Sequence, residues 1–84
     1  MLSFNSQTSL RNYIEETLIK ILDRKIIISN ESNLYNEGLD SLNIVTLIIE
    51  FENDLGIEIQ DNDLSMENFK DLTSIENFLK KYGV

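Results

Sequence analysis

Gly38-Leu39-Asp40-Ser41-Leu42 decides the reading of this chain. Before it, residues 23–37 are rich in turn formers and carry no sustained periodicity. After it, large apolar residues crowd together as far as Leu55. Gly38 lets the backbone turn sharply, and Asp40 and Ser41 both make good helix N-caps. Taken alone, the Asp-Ser dipeptide is no more than a cap. In this context, however, the turn exposes a serine at a helix N-terminus, where free backbone N–H groups and a partial positive charge suit an anionic group. A hydroxyl placed there needs no activation of its own when a modifying enzyme supplies the chemistry.

The helix that follows runs from about Ser41 to Leu55 and stops at Gly56, a suitable left-handed residue just past its end. It holds too many apolar residues for one face. Ile44, Ile48, Phe51 and Leu55, spaced 4, 3 and 4, form a narrow arc that reads as the core face, with Leu47 at its edge. Leu42, Val45 and Ile49, spaced 3 and 4, point more than a quarter-turn away. They read as an exposed docking patch.

Working outward, a first helix from about Thr8 to Leu22 carries the stripe Leu10, Tyr13, Ile14, Leu18, Ile21 and Leu22. Residues 23–40 form a long connection. Within it, Ile26-Ile27-Ile28 reads as extended loop, because no strand of similar strength exists to pair with it. Leu34 and Tyr35 anchor the loop ahead of Gly38. A short third helical turn is expected around Ser65–Phe69 with Phe69 inward. A fourth helix is expected from Thr73, where Thr73-Ser74-Ile75-Glu76 matches a capping box and Ile75, Phe78, Leu79 and Tyr82 supply the core stripe.

Composition narrows the function. Eighty-four residues make one domain, 1–84 with its core at 7–82, and a chain this short buries roughly 60–65% of its unfolded surface. Cysteine and histidine are both absent, which removes disulfides, thiolate ligands, and the commonest general base and metal ligand. Seven basic against fifteen acidic residues give a net charge of −8, which argues against nucleic acid and against an anionic membrane face. Ten of the acids fall between Lys25 and Lys70 with no base among them, a footprint for basic partners or a solvated, solubilising surface. Asp61-x-Asp63-x-Ser65 begins like an EF-hand loop, but Met66 and Leu72 stand where that loop needs glycine and glutamate, so no metal site is read. There is no basic-then-apolar leader and no apolar stretch of membrane-spanning length, so the cytoplasm is the default.

Gly38-Leu39-Asp40-Ser41-Leu42 resembles the attachment site of acyl and peptidyl carrier proteins. The likeness extends through Leu34–Leu42, Asp54–Ile59 and Asp63–Leu79, covering roughly residues 7–82. It implies an all-α, four-helix carrier bundle with a long first loop and a short third helix. It also implies a 4′-phosphopantetheine arm, derived from coenzyme A, attached covalently to Ser41, with Asp40 and Leu42 as its recognition context. Leu42, Val45, Ile49 and Glu50 would then meet partners. Three departures stand out. Glu37 replaces a usually apolar residue and Gln60 a common proline. Asn43 and Thr46 occupy positions often acidic in fatty-acid carriers, where they meet basic enzymes.

The resulting expectation is a monomeric carrier, not an enzyme, that holds acyl or aminoacyl thioesters in a polyketide, nonribosomal peptide or related specialised pathway. Its partners would be a phosphopantetheinyl transferase, a loading ligase or acyltransferase, and downstream biosynthetic enzymes. The arm makes physical sense, since one tether lets a bound intermediate reach several active sites at high effective concentration. Two alternatives stay open: a D-alanyl carrier for cell-wall decoration, and an unmodified acidic helical adaptor in which Ser41 is only a cap.

Overall fold

Leu10, Ile14 and Leu18 recur at helical spacing and are buried in one cluster with Leu47, Phe51 and Leu55, and this shared burial sets the architecture. The computed structural model describes residues 7–23 and 33–84. It contains three α-helices: α1 (Gln7–Leu22), α2 (Ser41–Leu55) and α3 (Leu72–Lys80). Two 3-10 turns, Asp61–Asp63 and Met66–Phe69, lie between α2 and α3, and there is no strand among the described residues. α1 packs against both α2 and α3, and the Met66–Phe69 turn packs on α3. No helix among the described residues is long and apolar enough to cross a membrane. The isoleucine run Ile26-Ile27-Ile28 lies outside the described residues.

The all-helical fold is as expected, while among the described residues three α-helices are found and the short third helical segment is a 3-10 turn. The segment expected as a third helix is squeezed between two caps. Ser65 Oγ accepts the Glu67 N–H, and Asp71 already caps the next helix, so the four residues between Ser65 and Lys70 complete a 3-10 turn only. Phe69 is nevertheless fully buried, as expected, with its ring centroid 5.1 Å from that of Phe78.

α3 begins one residue before Thr73. Asp71 Oδ1 accepts the Ser74 N–H at 2.8 Å, so Thr73 is already inside the helix and is not its cap. The N-cap expected at Thr73 is therefore at Asp71. Glu76 lies inward, with a relative exposure of 1%, and receives Arg11 Nε at 3.3 Å and Nη2 at 3.4 Å. A buried carboxylate is tolerated only when paired, and this fork joins α1 to α3. Burial of Leu72 at the helix start favours the same register.

α2 follows the sequence reading more closely. It starts at Ser41 and ends at Gly56, which adopts φ 66° and donates its N–H to Glu52 O. Its core face is rotated slightly from expectation. Leu47 is completely buried and central, whereas Ile44, in the first turn at the rim of the core, is half-buried. Beyond Gly56, Ile59 plugs the core while its N–H donates to Glu52 Oε2.

Candidate functional site

The loop before α2 is built as a rigid lead-in. Asn33 Oδ1 accepts the N–H of Tyr35 at 3.0 Å, and the Glu37 and Leu39 N–H groups both donate to Leu34 O at 3.0 Å. Leu34 and Leu39 are buried, pinning the two ends of this turn to the core. The Leu34 N–H donates to Lys70 O and the Tyr35 hydroxyl to Met66 O, tying the lead-in to the Met66–Phe69 turn. Gly38 adopts φ 110°, where a side chain would be strained, so glycine is required for the reversal. Glu37 sits half-buried beside it.

Asp40 then caps α2 from an extended conformation. Its Oδ1 accepts the Asn43 N–H at 2.9 Å, while Asn43 Oδ1 accepts the Asp40 N–H at 3.1 Å. This reciprocal box uses two of the first-turn donors and leaves those of Ser41 and Leu42. Ser41, the expected attachment residue, is exposed at the first position of α2. Its hydroxyl, its own N–H and that of Leu42 therefore sit together at the positive end of a fifteen-residue helix. These residues fit a phosphodiester: a reachable hydroxyl to bear it and unspent donors beside it.

The apolar stripe expected to be exposed on α2 is exposed. Leu42, Val45 and Ile49 are 78%, 56% and 50% exposed along one side of α2. Leu64 and Met66, exposed on the connection to α3, were not singled out by the sequence reading. Glu50 is half-buried and engaged: its Oε2 receives Lys20 Nζ at 2.9 Å, a hydrogen bond that raises the lysine pKa. One turn on, Asp54 Oδ2 accepts the Tyr13 hydroxyl at 2.8 Å. Burial, reinforced by this carboxylate, pushes the Tyr13 phenol well above its ordinary range. Glu50 and Asp54 thus stitch α2 to α1.

Asp63 and Ser65 of the stretch that resembled an EF-hand start are likewise engaged. The Tyr82 hydroxyl donates to Asp63 Oδ2, Lys81 lies 3.6 Å from Oδ1, and Ser65 caps the next turn. Tyr82 also accepts the Gln60 N–H at 3.1 Å, a bond that proline at this position would lack. Sequence reasoning missed the part played by Asn43, reading it only as an absent charge. A D-x-x-N box was the signal available.

Comparison with known proteins agrees with this geometry. The family described as "Phosphopantetheine attachment site" matches residues 12–79. An acyl carrier protein of Buchnera aphidicola subsp. Baizongia pistaciae (strain Bp) is 39% identical over 79 residues, 93% of this chain and 95% of that protein. Among solved structures, the fold resembles a chain in the crystal structure of Bradyrhizobium japonicum glycine:[carrier protein] ligase complexed with glycylated carrier protein. The TM-score is 0.67 at 24% identity, covering 82% of this chain and 97% of that one. The chain belongs to the acyl carrier protein family, whose function depends on a covalently attached 4′-phosphopantetheine.

Proposed function

We propose that Ser41 bears the 4′-phosphopantetheine arm and that the chain shuttles acyl or aminoacyl thioesters among enzymes of a polyketide, nonribosomal peptide or related specialised pathway, as a cytoplasmic monomer. The observation that carries this reading is the exposed Ser41 at the start of α2, with its own N–H and that of Leu42 left unspent by the cap. The arm supplies a terminal thiol for thioester formation. The protein's own residues supply the rest: Ser41 Oγ forms the bond to phosphorus as the diphosphate of coenzyme A breaks and adenosine 3′,5′-bisphosphate leaves. The hydroxyl proton goes to a base on the transferase, because this chain has no histidine and no cysteine.

Leu42, Val45 and Ile49 form the surface that partners grip, with Glu50 at its edge. An aminoacyl-loading ligase among those partners is supported by the neighbouring fold, whose carrier was captured glycylated with its ligase. A specialised pathway is supported by the neutral Asn43 and Thr46. Asn43 is spent on the helix cap and the Thr46 hydroxyl on Leu42 O, so neither presents an acid to a basic enzyme.

Incubation with coenzyme A, magnesium and a broad-specificity phosphopantetheinyl transferase should add one phosphopantetheinyl group by intact mass. Ser41→Ala should abolish that addition while leaving helical circular dichroism intact, since Asp40 provides the cap. Wild type left unmodified, under conditions that convert a control carrier, would overturn the assignment.

A further inference from the structure

The two residues that close the box around the start of α2 bracket Ser41 and Leu42. We propose that Asn43 is a positioning residue for the modification of Ser41, an inference that rests on the carrier reading above. Upstream, the lead-in is fixed independently, by the Glu37 and Leu39 N–H bonds to Leu34 O and by burial of Leu34 and Leu39. Downstream, the helix is fixed by the burial of Leu47, Ile48 and Phe51. Between these rigid parts the Asp40–Asn43 pair closes the gap. The Asp40 N–H donates to Asn43 Oδ1 at 3.1 Å, and the Asn43 N–H donates to Asp40 Oδ1 at 2.9 Å. With both ends of the intervening segment clamped, the backbone of Ser41 is held, and so is the origin of its Cα–Cβ bond. The box therefore sets where the nucleophilic hydroxyl stands relative to the helix terminus.

The choice of asparagine has its own logic. Glutamate or aspartate here would accept the same bond, and the helix dipole would favour it. Either would also add a negative charge next to the place where Ser41 acquires an anionic phosphodiester, with Asp40 already charged beside it. Asparagine keeps the acceptor, adds no charge, and leaves an amide N–H2 at the site. Asn43 thus works inward, through the backbone of Ser41, and not as a surface contact for a partner.

Steady-state modification by a phosphopantetheinyl transferase with coenzyme A, comparing wild type with Asn43→Ala, Asn43→Asp and Asp71→Ala, tests this. Asn43→Ala should lower kcat about tenfold with KM changed less than about twofold, as expected for misplacement of a reacting group. Asn43→Asp, which keeps the acceptor, should recover most of kcat. Asp71→Ala removes the equivalent cap of α3, where Asp71 accepts the Ser74 N–H, and should leave kcat unchanged. In the unmodified protein, hydrogen exchange at the Asp40 amide should accelerate in Asn43→Ala and not in Asp71→Ala. The inference is overturned, with the carrier reading intact, by any of four results: Asn43→Ala at wild-type kcat, a loss confined to KM, no recovery in Asn43→Asp, or Asp40 exchange unaltered by Asn43→Ala. An equal loss in Asp71→Ala would overturn it too, reducing the effect to stability. Wild type left unmodified overturns the carrier reading itself and this inference with it.

Discussion

Two sides of α2 carry the same kinds of residue and do opposite things. Leu47, Ile48, Phe51 and Leu55 are buried, while Leu42, Val45 and Ile49 stand at least half exposed. Hydrophobicity alone does not distinguish them. The difference is where neighbours exist: α1 packs on one side of α2, and among the described residues the other side is left exposed. A core of this size fills quickly, with Phe51, Phe69 and Phe78 all buried, and the second stripe is left over. Apolar residues exposed in this way contribute little to the domain's own stability.

The most severe break in that comparison comes from exchanging the two sides. Phe51→Ala should destabilise the domain by about 3–5 kcal/mol, since its ring is fully buried and its cavity is hemmed in by rigid helices. Val45→Asp should change stability by no more than about 0.5 kcal/mol and yet weaken modification or cargo loading. Denaturant midpoints for both variants, with a loading assay, decide the matter. A Val45→Asp protein as unstable as Phe51→Ala would mean that the second stripe belongs to the core.

How legible each part was follows from whether its signals were local. α2 could be bounded from sequence because Asp40, Ser41 and Gly56 each act within a turn of themselves. The start of α3 was misplaced because two cap signals overlap there, Asp71 before Leu72 and Thr73 before Glu76. Asp71 takes the cap, and Glu76 is buried against Arg11, sixty-five residues away in the chain. The short helical turn expected around Ser65–Phe69 is a 3-10 turn, bounded by the Asp71 cap of the next helix. The exposed place of Ser41 at the start of α2 was legible from such local signals. Asn43 was not, because its meaning lies in the bond it accepts and not in the charge it lacks.

A smaller effect probes the edge between the two sides, where α2 is tied to α1. The Tyr13 hydroxyl donates to Asp54, and burial with that carboxylate raises the phenol pKa. A group whose folded pKa lies above its unfolded value, about 10 for tyrosine, stabilises the fold fully below that value and loses its contribution as pH climbs beyond it. Stability should therefore decline above about pH 10. Tyr13→Phe should cost about 1 kcal/mol at neutral pH and shallow the decline. Tyr35 and Tyr82 are shifted in the same direction, chiefly by burial, so some decline should persist. Denaturation midpoints between pH 7 and 11 measure it, and parallel alkaline limbs in both proteins would remove Tyr13 from the account.

The smallest effect concerns charge around the exposed side. Of the ten acids between Lys25 and Lys70, Glu50, Asp63 and Glu67 are matched by Lys20, Lys81 and Lys70. Asp40, Glu52 and Asp54 are spent on the Asn43 N–H, the Ile59 N–H and the Tyr13 hydroxyl. Much of the acidic band is therefore fold chemistry, and the field it projects is weaker than its count suggests. The charges that accept neutral donors are not cancelled, and the net charge of −8 still favours basic partners. Association with the transferase or a loading ligase should slow as salt rises, through the on-rate, by on the order of tenfold or less between low and physiological salt. Thr46→Glu, at an exposed position beside the patch, should steepen that dependence without altering the fold. Stopped-flow association at several salt concentrations reads both. Rates indifferent to salt in wild type would confine the acids to internal bonding and solubility, and recognition would then rest on Leu42, Val45 and Ile49, the stripe the core left uncovered.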